Sequence, residues 1–380
     1  MMISCPGLSK FKTKQVVFEE VFPACDSGTL EQLKEMSSKR RAIEESINES
    51  SSVTEAIARE MSGGLTLRCE QDIQKLEQYL PLLENLVYHV NRGRNNPWVD
   101  RWMSDLKLRW TSPLISSSIF HVKSPKYFQI NYVQFELGMV LFLYGSLLRE
   151  KALEILQTDL VQSAALFRKA AGVYQHLAHE VLPSLQLAAR TERPPESVPS
   201  VSSVMSLVCL AEAQAVAARR AEEKGNTQNL LAKLHYGVRD FLDEALVILH
   251  SATKECKDIS SPFADFIISC RMLHELKSYK YIAESLKVDG KIGAAAGLLR
   301  HALTSIGKST PKGEAWRLVY KQLVQEMTEL LRKYEHENDF VWHEKVVTKH
   351  ELPLPETIKI VTSTPYQPQR SEKTLAFKQV

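Results

Sequence analysis

The chain lacks paired cysteines. Its six, Cys5, Cys25, Cys69, Cys209, Cys256 and Cys270, are scattered, with no CxxC and no histidine at ligand spacing. Neither a zinc site nor a disulfide framework is written there, and reduced, mostly buried thiols are expected. No run of about eighteen apolar residues is apparent, and the N-terminal MMISCPGLSKFKTK has no apolar signal core, so a cytosolic protein is expected. The second residue is Met and the end is AFKQV. Myristoylation and prenylation are therefore not expected, and any membrane association has to come through a partner. Excess charge is missing too: 48 basic against 45 acidic side chains leave +3, too little for the basic stripe that nucleic acid demands. There is no P-loop, GxGxxG, GxSxG or HExxH, so no catalytic residue, cofactor site or small-molecule substrate is nominated.

What is present is a folding composition: 44% hydrophobic and 24% charged residues over 380 positions, with a mean hydropathy of -0.21. That length allows two domains or one elongated domain. A strand is expected at Val16 to Phe18, and a capping box at Thr29 to Gln32 opens a helical pattern. Ile73, Leu76, Leu80, Leu83, Leu86 and Val87 recur at helical spacing, with Pro81 set to bend or divide their helix. Alternation at Leu106, Leu108 and Trp110, and again at Phe120 and Val122, predicts a small β-hairpin. Beyond Pro125 helical periodicity holds to about Tyr334, except over the proline-containing stretch 191–204. Two stretches, Tyr281 to Ile306 with Gly290 at its turn and Phe135 to Leu177, pattern as tetratricopeptide-like helix hairpins. After Asn338 the prolines at 353, 355, 365 and 368 predict an extended segment. Its first part, with Leu352, Leu354, Ile358, Ile360 and Val361, should pack on the helices, and its end should be loose.

His176 and His179, three apart on one helix face, offer two metal ligands but no third, so ordinary hydrogen-bonded histidines are the simpler reading. Trp98, Trp102 and Trp110 read as core packing rather than a ligand cage. Lys39, Arg40 and Arg41, followed by Glu44 and Glu45, read as an exposed, ion-paired helix face. Met205 to Leu249 is the most informative stretch. Its second helix carries one apolar stripe, Leu231, Val238, Leu242, Ala245 and Leu249, and starts another, Leu230, Leu234 and Phe241. If the first faces inward, the second meets either another helix or an open groove for a partner helix.

Four islands in one order resemble the Bro-one-domain family of ESCRT-associated proteins: LRWTSPL from Leu108, AAGVYQHLAHEVLPSL from Ala170, LAEAQAV from Leu210 with LLAKL from Leu230, and ENDFVWHEKV from Glu337. The resemblance implies an all-α, elongated, boomerang-shaped domain over 1–365, with a tetratricopeptide-like middle, a small β-hairpin and a flexible tail over 366–380. It also implies a non-catalytic adaptor in endosomal, multivesicular-body sorting. Such an adaptor binds the C-terminal amphipathic helix of an ESCRT-III subunit and is recruited peripherally to endosomes. The groove positions are Leu230 and Leu234, with Lys233 and Arg219 expected to meet acidic residues of the partner. Where members of the family place a large aromatic this chain has Ala217, and their groove lysine aligns near Val161. Together they imply a shallower groove without that charge. The alternative from the residues alone is a tetratricopeptide-like adaptor for an unrelated partner.

Overall fold

The computed structural model describes residues 10–48, 66–93, 97–115, 125–185, 192–255, 259–306, 311, 314–348, 351–353 and 355–378. Helices dominate. They are α1 (Phe18–Val21), α2 (Ser27–Asn48), α3 (Thr66–Arg92), α4 (Pro97–Asp105), α5 (Val133–Glu154), α6 (Leu160–His176), α7 (Pro199–Glu223), α8 (Gln228–Glu255), α9 (Ser261–Val288), α10 (Ile292–Ile306) and α11 (Glu314–Glu337). From α5 onward each packs chiefly on the next in sequence, while α5 also packs on α3 and α3 on α2. This serial stacking is the solenoid-like arrangement that the hairpin patterns predict. Gly290, at φ 73°, closes the α9–α10 turn.

The centre is α5. It is apolar all round and buried along most of its length, as a helix enclosed on every side must be. Two buried ion pairs fix it. Arg40 of α2 pairs with Glu136, which also accepts from the Trp110 indole at 2.7 Å. Arg149 pairs with Glu212 of α7, its Nε donating at 2.8 Å. Arg40 is thus a core residue, not part of the exposed charged face that its neighbours suggest.

Local sequence sets the ends. The α2 cap is Asp26, which accepts from the Thr29 N–H at 2.7 Å, so the expected Thr29 capping box is replaced by an earlier residue. Asp159 caps α6 through Val161 and Gln162. Pro199 opens α7 six residues earlier than the proline-rich pattern indicates, because proline suits a first turn. Pro81 sits inside an unbroken α3. The two-stranded sheet pairs β1 (Leu108–Trp110) with β2 (Phe128–Ile130), antiparallel; Phe120 and Val122, where the second strand is expected, lie outside the described residues. No strand forms at Val16 to Phe18: Phe18 begins α1, and the isolated bridge is Thr13 to Trp110. By length and composition α7 could cross a bilayer, which corrects the expected lack of such a run, yet 78% of its apolar window is buried within the protein.

The C-terminal segment is the largest departure from expectation. Starting from His343, in the left-handed region at φ 52°, the described residues of 343–348, 351–353 and 355–378 run as a largely extended strap back over the helices. The Gly293 N–H donates to Glu344, Ile358 contacts α7 and α8, Thr364 bonds Arg168 of α6, and Ser371 bonds Pro81 of α3. The stretch 366–378, expected to be flexible, is packed. Leu375 is buried, and Phe377 lies between Phe22 and Trp102 at 5.7 and 5.6 Å. Cys25 donates to Ala376, and Ala376 to Thr29. Two apolar side chains and a run of satisfied backbone groups offset the entropy of ordering the end.

Candidate functional site

The helices α6, α7 and α8 alternate in direction, so the start of α6, the end of α7 and the start of α8 lie at one end of the stack. Contacts agree. Ser206 of α7 donates to Ala171 of α6, and farther along Arg219 reaches Leu156 and Gln157 just before α6. Across one face of these three helices runs the strap. Ile358 N–H donates to Lys233 O at 3.3 Å, the Gln214 amide donates to Ile358 O at 2.7 Å and accepts from Ile360 N–H at 3.0 Å, and Thr364 N–H donates to Arg168 O at 3.0 Å. The approach needs glycine. A Cβ on Gly172 would lie 1.7 Å from Thr364 O, and one on Gly237 2.3 Å from Ile358 O.

Strap side chains alternate, as in any extended chain. Lys359 lies over Phe241 at 4.4 Å and pairs with Glu244, and Ser363 donates to Gln175, all toward the C-terminal ends of α8 and α6. Glu356 points toward the start of α8 and pairs with Lys233, which holds its carboxyl below the ordinary value. On that side Val161, Ala217 and Leu230 share the strap-facing surfaces of α6, α7 and α8. Val161 lies two turns, about 10 Å, from Arg168, and Leu230 less than one turn, about 5 Å, from Lys233. Val161 is 55% exposed, Ala217 and Leu230 are half-buried, and Ile360 on the strap is 56% exposed. These are partly exposed apolar side chains on the helices and on the strap that crosses them.

Leu231, Val238, Leu242, Ala245 and Leu249 are buried, as the inward stripe must be. The second stripe meets neither a further helix nor fully open space. Phe241 lies under Lys359 and Leu234 is only 3% exposed, leaving Leu230 as its accessible member. Lys233 is held by Glu356. Arg219, about 200° around α7 from Ala217, faces away and pairs with Glu223. Sequence periodicity could not supply the strap, although mid-helix Gly172 and Gly237 were a signal that backbone approaches there.

The other candidates lie elsewhere. His176 packs on the Tyr366 ring at 5.1 Å and burial lowers its pKa, while His179 Nδ1 lies 2.9 Å from Gln175 O. No group of three metal-ligating side chains occurs among the described residues.

The fold is similar to that of the ALIX BRO1 domain solved as a complex with CHMP4C: TM-score 0.69, 19% identity, covering 96% of each chain. A solved Bro1 domain described for endosomal targeting superposes with TM-score 0.67 at 14% identity, over 96% of this chain and 94% of that one. Among curated proteins, human BRO1 domain-containing protein BROX is 23% identical over 318 residues, 79% of this chain and 75% of that protein. Programmed cell death 6-interacting protein of Xenopus laevis is 26% identical over 245 residues, 63% of this chain and 27% of its own length. The BRO1-like domain model matches residues 33–380, and the chain belongs to that family.

Proposed function

We propose that this chain is a non-catalytic adaptor whose apolar surface beside the strap takes the C-terminal amphipathic helix of an ESCRT-III subunit, in endosomal sorting. The reading rests on the partial exposure of the apolar Val161, Ala217, Leu230 and Ile360 on three packed helices and the strap that crosses them, which we take as one docking surface. An amphipathic helix laid there buries its i, i+3, i+4, i+7 face and keeps its polar face in water. The relative with the same fold was solved bound to CHMP4C, which makes that subunit the first peptide to try. Ala217 and Val161 make the docking surface shallow and remove a cation, so affinity and choice of subunit differ from those of relatives with bulkier floors. The strap spans the helical stack, so the whole chain acts as one unit, and recruitment to endosomes is peripheral, through the partner.

Leu230→Asp is the informative variant. Leu234 is buried, so a charge there disturbs folding as well as binding. In a fluorescence-anisotropy titration with the CHMP4C C-terminal peptide, Leu230→Asp is expected to weaken binding at least about tenfold. Its melting temperature and circular dichroism should stay near those of the parent. Undiminished binding by a folded Leu230→Asp protein removes this surface as the site.

A further inference from the structure

Where the strap passes from α6 to α3 it roofs a second cavity, of about 420 Å³. The Tyr144 and Tyr366 rings, with centroids 6.5 Å apart, stand beside Leu80 and Val173. Two carboxylates line the same space. Glu77 accepts from the Tyr144 hydroxyl at 2.7 Å and from Lys169 at 3.1 Å. Glu84 accepts from the Tyr366 hydroxyl at 2.7 Å through Oε1. Its Oε2 is enclosed and accepts no hydrogen bond, although the residue is only 7% exposed. Between them Pro81 has no N–H, so the Glu77 carbonyl loses its helical donor.

Gln367 and Gln369 also line the cavity and the Gln369 backbone N–H bears on the Glu84 carboxylate, yet Oε2 itself is left without a donor. The cavity's one lysine, Lys169, is already paired with Glu77, and an enclosed acceptor without a donor costs about 1–3 kcal/mol. A ligand that relieves this brings several N–H donors, a positive charge and an aliphatic body to lie against the tyrosine rings and Leu80. Access is at the Lys169–Glu77 pair, whose side chains are 44% and 45% exposed. We propose that this cavity binds a primary alkylammonium group, the chemistry of a lysine side chain or a free diamine, with Glu84 Oε2 as its principal acceptor. The docking surface is separate from it, so the two readings stand or fall apart.

The test uses the full chain, isotope-labelled, titrated with N-acetyl-lysine-N-methylamide, 1,5-diaminopentane and, as the uncharged isostere, N-acetyl-norleucine-N-methylamide. Saturable shifts in amides of α3 and of strap residues 364–369 are expected with an ammonium compound and not with the norleucine compound. Glu84→Gln, which keeps the Tyr366 bond but replaces the free acceptor by a donor, should weaken binding at least about tenfold. Glu77→Gln, at the partly exposed mouth, is the second variant should Glu84→Gln fail to fold, and it should weaken binding less than threefold, a factor of roughly 0.6 kcal/mol. Binding of the blocked lysine alone points to a peptide source, of the diamine alone to a free amine. Absence of ammonium binding, equal binding of the norleucine compound, or undiminished binding by folded Glu84→Gln overturns the assignment, as does a loss in Glu77→Gln as large as that in Glu84→Gln.

Discussion

Glu196 is fully buried ahead of α7, accepting from the Ser112 hydroxyl at 2.8 Å and from the Leu114 N–H at 3.2 Å. Burial outweighs these donors and pushes its carboxyl up to about 7 from an ordinary 4.5. A folded-state pKa above the unfolded one contributes stability that is fully present below 4.5 and is lost as pH rises through 7. Glu196→Gln cannot ionise, so its stability relative to the parent should rise between pH 5 and pH 8, by roughly 2–3 kcal/mol. Urea unfolding at the two pH values checks this, and a constant difference between the proteins contradicts it. Arg40 makes the complementary case. Replacing it by Met leaves Glu136 charged and buried against Trp110, and should cost about 3–5 kcal/mol, read by the same unfolding experiment.

At the scale of elements the strap decides most of the surface. In an isolated helix Gly172→Ala would gain about 1 kcal/mol of propensity. Here the added methyl meets Thr364 O at 1.7 Å. The substitution should therefore destabilise, and the Thr364 N–H should lose protection from hydrogen exchange because its bond to Arg168 O opens. A neutral or stabilising Gly172→Ala would show the strap to be loosely held. The same elements show what the sequence could reveal. Local periodicity was enough for α9, α10 and Gly290, since a helix is made by residues three and four apart. Pairing of Leu108 with Ile130, or of Ile358 with Lys233, joins residues far apart along the chain and leaves no periodic trace. Hence the second stripe of α8 was legible as a stripe, and Leu230 as its member. That the strap would cover Phe241, while Leu234 would be buried beside it, was not.

For the molecule as a whole the account is a serial stack of helices centred on α5, bound by a strap that reaches from α10 to α1, with the proposed docking surface along one edge of that strap. Hydrogen exchange of the full chain, with and without the CHMP4C C-terminal peptide at saturation, tests this most directly. Protection should appear together in the first turns of α6 and α8, the last turns of α7 and strap residues 356–362. Protection confined to the exposed Phe340, Val341 and Trp342, or binding that leaves the strap and those turns unprotected, contradicts it.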